Sequence, residues 1–181
     1  SVRLARKSAK LNGIEDRYEI RNFDFRDPLA LAPEEKFDLI LGSPPYFPLG
    51  TGVLGNHPQK VACRFEVRGS IHDYCEVAAR HLEWGGVFAC IFQVHPEAQL
   101  KRVQDAAKSA GLTILKQRGV VLREGDVPLL GVFAMMRTEH LPEPNRAQTY
   151  IEPSLIIRDT QGRASAEYLT VKLSVGLPPT N

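Results

Sequence analysis

Ser43-Pro44-Pro45-Tyr46 lies inside the stretch GSPPYFPLG at residues 42 to 50, directly behind the apolar run Phe37 to Leu41. A proline fixes its own φ and carries no N–H, so two in succession set the direction of the preceding carbonyls and leave acceptors aimed outward. The Pro44 carbonyl and the Ser43 hydroxyl can then accept hydrogen bonds from an amine, while Tyr46 offers a flat face to a planar ring turned out of its helix or loop. An amine conjugated to a ring or a carbonyl has a delocalised lone pair and is a poor nucleophile. Holding it close to its transition-state geometry, with acceptors that favour the developing positive charge, is chemistry that needs neither a metal nor a covalent nucleophile. The competing explanation is a stiff loop that packs its aromatics on the domain, since turn chemistry alone accounts for many Pro-Pro-aromatic strings.

The elements that must position this loop can be read from periodicity. Val2, Leu4, Ala5, Ala9 and Leu11 recur at helical spacing before Asn12-Gly13, which predicts a helix over 2–11. Tyr18 to Phe25 reads as a short strand, and Phe37 to Leu41 as a core strand of a parallel sheet that delivers the chain into the loop. Gly69-Ser70 opens a second helix, with Ser70 and Asp73 at capping-box spacing and Ile71, Tyr74, Cys75, Ala78 and Leu82 on one face. Gly85-Gly86 then leads into strand Val87 to Phe92. Pro96 begins a third helix, marked by Leu100, Val103, Ala107 and Ala110.

Leu112 to Leu122 and Pro128 to Met136 are two strand-like runs whose connection is too short for a parallel crossover, so they should pair antiparallel. The segment LPEPNRAQ reads as a connection and EPSLIIRDTQGR as a short strand followed by a turn. Alternating strands and helices closed by such a hairpin predict an α/β sheet covered by helices, with ligands at the carboxyl ends of its strands. The loop occupies such an end.

With 181 residues, 43% of them hydrophobic and a net charge of +2, the chain has the size of one globular domain and no bulk charge that names a partner. No apolar run approaches the ~20 residues of a membrane span, so the chain reads as soluble. Cys63, Cys75 and Cys90 form no C-x-x-C pair and read as small apolar residues in a reducing compartment, which makes the cytoplasm the expected location. His72, His81 and His95 lack metal-ligand spacing. His57, Lys60, Arg64 and Arg68 form a basic stripe after the loop, offset by Glu66, that could contact RNA phosphates or simply be solvated. Arg3, Arg6, Lys7 and Lys10 on the first helix carry the same two readings.

Ser43-Pro44-Pro45-Tyr46 resembles the [Asn/Asp/Ser]-Pro-Pro-[Tyr/Phe/Trp] signature of S-adenosylmethionine-dependent methyltransferases that act on exocyclic or amide nitrogens. Leu4-Ala5-Arg6-Lys7, Leu11-Asn12-Gly13, Phe23-Asp24-Phe25-Arg26, Phe37-Asp38-Leu39-Ile40 and Leu82-Glu83-Trp84-Gly85-Gly86 follow the motif order of class I methyltransferases. Ala62-Cys63-Arg64-Phe65-Glu66 and Asp73-Tyr74-Cys75 are similar to the segment behind the catalytic loop in bacterial tRNA adenine-N6 methyltransferases of the valine-tRNA type.

The resemblance implies a Rossmann-like class I methyltransferase sheet with S-adenosyl-L-methionine as cofactor and tRNA as partner. It further implies that Asp24 accepts a hydrogen bond from the cofactor's adenine amine, that Phe25 packs near that ring, and that Ser43 also borders the cofactor. Ser43, Pro44, Pro45 and Tyr46 would hold the target amine and base, with Phe47, Lys60, Arg64 and Arg68 toward the nucleic acid.

The sequence departs from that pattern at three places. Ser43 stands where adenine-N6 enzymes often have Asn or Asp, and Ser occurs in amino-methyltransferases of cytosine, so a DNA cytosine amine or a protein glutamine amide remains an alternative. A non-catalytic RNA-binding fragment of the same fold is a third. Trp84 replaces a usual proline and is expected to cover the sheet edge. The glycine-rich cofactor loop and the acidic residue that would hold the ribose both precede the position that Ser1 matches. Residues 1–137 are therefore expected to form a methyltransferase domain lacking its first strands, which binds cofactor poorly, and 138–181 a C-terminal connection with a short strand and tail.

Overall fold

The computed structural model describes residues 2–53 and 55–178. They form two compact units, divided between Glu35 and Lys36.

In the first unit, helix α1 (Val2–Leu11) ends at Gly13, whose φ of 62° is one that a side chain rarely adopts. A short 3-10 turn follows at Glu15–Arg17. The strand expected over Tyr18 to Phe25 is not formed: these residues are irregular and no strand among the described residues pairs with them. A strand exists only through its ladder partner, and here side chains take over the cross-links. The Arg21 guanidinium binds the carboxylates of both Glu19 and Glu35 and reaches the Ala30 carbonyl at 3.1 Å.

The second unit is a five-stranded sheet in the order β1-β2-β4-β3-β5. Its strands are β1 (Phe37–Gly42), β2 (Leu82–Gln93), β3 (Leu112–Arg123), β4 (Leu130–Arg137) and β5 (Tyr150–Arg158). β1 and β2 run parallel, β4 is antiparallel to both β2 and β3, and β5 is parallel to β3. The hairpin of β3 and β4 is therefore as its short connection requires. Helices α2 (Pro58–Arg64), α3 (Ile71–His81) and α4 (Glu97–Ser109) lie between the strands in sequence, and α5 (Ala166–Ser174), which the sequence pattern did not reveal, packs on β5.

One face of the sheet carries the core. Ile71, Cys75 and Ala78 of α3 and Val103, Ala106 and Ala107 of α4 close over Phe88, Cys90, Phe92, Ile114, Phe133 and Met135. The capping box starts α3 as expected: the Asp73 carboxylate accepts from the Ser70 N–H at 2.6 Å and from its hydroxyl at 2.8 Å.

β1 is not the buried strand its composition suggests. It is an outer strand of the sheet, and of its apolar residues Ile40 packs on the core while Leu39 and Leu41 are 57% and 73% exposed. An unbroken apolar run marks a strand covered on both faces, but here α3 and α4 pack on one face of the sheet, and Leu39 and Leu41 of β1 on the other are exposed. Trp84 does not cover the sheet edge either; it is exposed and stacks on His140 at 4.2 Å. Cys75 and Cys90 are core residues, whereas Cys63 is exposed.

Candidate functional site

β1 ends at Gly42, where two aromatic rings leave little room for a side chain. A Cβ on Gly42 would come within 3.0 Å of both the Tyr74 and Phe88 rings. The strand can therefore pass directly over these aromatics into Ser43. Pro44 and Pro45 are buried, Pro44 completely, while Ser43 is exposed and Tyr46 and Phe47 are partly so. The loop is rooted by its prolines and presents the residues on either side of them.

Three elements hold it. Phe47 forms a one-residue bridge to the segment after α2: its N–H donates to the Arg64 carbonyl at 3.1 Å and its own carbonyl accepts from the Glu66 N–H at 2.9 Å. The Phe47 ring lies 5.9 Å from Phe65, with the Arg64 guanidinium 5.7 Å from its centroid. From α4, Arg102 and Gln99 both donate to the Tyr46 carbonyl, at 3.0 and 3.3 Å. From β2, Phe92 packs T-shaped against the Tyr46 ring with centroids 5.3 Å apart.

These contacts divide the loop's acceptors. The Tyr46 carbonyl is fully engaged, but among the described residues no hydrogen bond is made to the carbonyls of Pro44 or Pro45. Burial pushes the Tyr46 phenol above its ordinary value, and the neighbouring Ser43 side chain opposes the shift. Tyr46 is thus a fixed, neutral ring at neutral pH.

Beside Ser43, at the carboxyl ends of β1 and β2, lies a cavity of about 360 Å³ lined by Leu41, Gly42, Ala89, Ile91 and Val132 on the uncovered side of the sheet. Its walls are largely apolar, with the Ser43 hydroxyl at the rim, and among the described residues no carboxylate lines it. A larger cavity of about 900 Å³, bordered by Lys36, Arg80, Arg137 and Arg146, lies at the opposite end of β1 and includes no loop residue.

The structure thus brings Ser43, Pro44, Pro45, Tyr46, Phe47 and Arg64 together. Lys60 lies one helical turn before Arg64 on α2 and Arg68 closes the following 3-10 turn; all three cations are exposed. Asp24 and Phe25 belong to the first unit, where the Asp24 carboxylate is bound by the Arg26 side chain at 2.7 and 3.0 Å. Sequence reasoning missed Gln99 and Arg102, and read Glu66 only as a charge offsetting the basic stripe. Only the apolar face of α4 had been read, although a Gln and an Arg three residues apart on one helix was the available signal.

Comparison with known proteins agrees with this architecture. No protein-family model matches the chain. Over 93 residues, 51% of the chain, it is 34% identical to the type II methyltransferase M.CvrRI of Paramecium bursaria Chlorella virus XZ-6E, and the match spans only 23% of that protein's length. Its structure is similar to that of a predicted O-methyltransferase, protein Atu636 of Agrobacterium tumefaciens, with TM-score 0.66 and 16% identity over 99% of this chain and 74% of that one. TrmN from Thermus thermophilus is a more distant likeness, with TM-score 0.44 and 20% identity over 74% of this chain and 32% of that one. The fold of the chain is a methyltransferase fold, a mixed α/β sheet with helices packed on it.

Proposed function

We propose that the protein transfers a methyl group from S-adenosylmethionine to the exocyclic amine of a nucleic-acid base, with adenine-N6 in tRNA as the leading target. The observation that carries this reading is the rigid Pro44-Pro45 pair at the end of β1, whose carbonyls have no hydrogen-bond partner among the described residues, beside the packed Tyr46 ring. The cofactor supplies an electrophilic methyl group. The chain's own residues hold the nucleophile: the Pro44 carbonyl and Ser43 hydroxyl accept the N–H bonds of the amine and draw its lone pair out of conjugation, and Tyr46 supports the base. The amine nitrogen forms the new bond to the methyl carbon as the methyl–sulfur bond breaks and a neutral thioether leaves, and the resulting cationic amine then releases a proton to solvent. Lys60, Arg64 and Arg68 take backbone phosphates of the nucleic acid.

A second reading, a DNA cytosine amine, is favoured by Ser43 itself. The two separate in one assay. The protein expressed from its natural gene is incubated with isotopically labelled S-adenosylmethionine and either unmodified tRNA or double-stranded DNA, and the methylated nucleoside is identified by mass spectrometry. Label in N6-methyladenosine of tRNA supports the first reading and label in N4-methylcytosine of DNA the second. Incorporation into neither removes both.

A further inference from the structure

Arg102 sits where three separate parts of the site meet. Its guanidinium donates to the Tyr46 carbonyl at 3.0 Å and to the Gln99 side chain at 2.9 Å, pairs with the Glu66 carboxylate, and lies 5.5 Å from the centroid of Phe92. Gln99 reaches the same carbonyl. Glu66 in turn holds Phe47 through its backbone N–H, next to the segment that carries Lys60, Arg64 and Arg68. Both members of the ion pair are largely buried, 24% and 12% exposed at their side chains, which screens the pair far less than a surface one.

We infer that Arg102 is a positioning residue which ties the Ser43–Tyr46 loop to the basic segment of α2, so that the part holding the base amine and the part meeting the nucleic-acid backbone move as one body. The planar guanidinium suits this task because its donors point in fixed, divergent directions: one edge is committed to a carbonyl and another to a carboxylate, which a lysine's single ammonium cannot reproduce. By occupying the Tyr46 carbonyl, Arg102 also leaves the Pro44 and Pro45 carbonyls as the acceptors open to an incoming amine. The functional consequence rests on the methyl-transfer reading; the mechanical coupling does not.

Amide hydrogen exchange tests the coupling directly. The reporters are the N–H groups of Phe47 and Glu66, which form the backbone bridge between the two parts, with Phe133 and Met135 of β4 as core references. In Arg102→Met, exchange at Phe47 and Glu66 should rise about tenfold or more while β4 stays unchanged, and Arg102→Lys should give a smaller rise. Because Arg102 and Glu66 act through one pair, combining Arg102→Met with Glu66→Gln should add less than the sum of the two single changes. In the methyl-transfer assay, Arg102→Met should lower kcat about tenfold with little change in KM for S-adenosylmethionine, and Arg102→Lys should restore part of it.

Unchanged exchange at Phe47 and Glu66, or an equal rise across β4, overturns the assignment and leaves Arg102 an ordinary packing residue. A wild-type protein that transfers no methyl group overturns the methyl-transfer reading instead, and the exchange measurement still decides the role of Arg102.

Discussion

The two faces of the sheet share their strands and differ in almost everything else. On the face under α3 and α4, Phe88, Phe92, Phe133 and Met135 are fully buried. On the other, Leu39, Leu41 and Val132 are exposed, and Leu41 and Val132 border the cavity beside Ser43. Alternation along each strand sends successive side chains to opposite faces, so a single residue step separates scaffold from site. Ile40 anchors β1 and Leu41 lines the cavity. What fixes the loop is therefore the covered face, through Phe92 under Tyr46 and α4 under the Tyr46 carbonyl, while the open face provides the space in which a ligand would sit.

Substitutions on the two faces should separate scaffold from cavity, and the largest effect is expected where they meet. Phe92→Ala removes a fully buried ring that also supports Tyr46, and it should cost roughly 3–5 kcal/mol in denaturant unfolding. Gly42→Ala pushes a methyl group against Tyr74 and Phe88; overpacking of this kind costs about 1–3 kcal/mol, and it should also displace Ser43. Leu41→Ser, on the open side, should change stability by less than about 0.5 kcal/mol. If Leu41→Ser proved as damaging as Phe92→Ala, the open face would be part of a packed core and the contrast would fail.

The sequence made local features legible and left those set by distant partners obscure. Helices at 2–11, 71–81 and 97–109 follow from apolar spacing and caps, and the β3–β4 hairpin from the length of one connection. The segment Tyr18 to Phe25 has strand-like composition, but a strand depends on a ladder partner elsewhere in the chain, and none forms among the described residues. The burial of β1 was overread for a related reason: an apolar run states what could be covered, and the neighbouring elements decide what is. At the site, Ser43 to Tyr46 could be picked out because prolines act on their own backbone. Arg102 and Glu66 could not, because their role exists only through contacts 56 and 36 residues away in the chain. Helix α5 escaped because Ala166–Ser174 has no buried residue, so it shows little of the apolar stripe from which helices are read.

The central claim is that the rigid acceptors at the end of β1 hold the amine that is methylated. Its most direct test compares initial rates of methyl transfer for wild type, Pro44→Ala and Tyr46→Ala at saturating nucleic acid and cofactor, each variant first shown by circular dichroism and thermal melting to be folded. Removing preorganised transition-state contacts should lower kcat by about 10²- to 10³-fold for Pro44→Ala, with a comparable loss for Tyr46→Ala. Folded variants that transfer methyl groups at the wild-type rate would contradict the account.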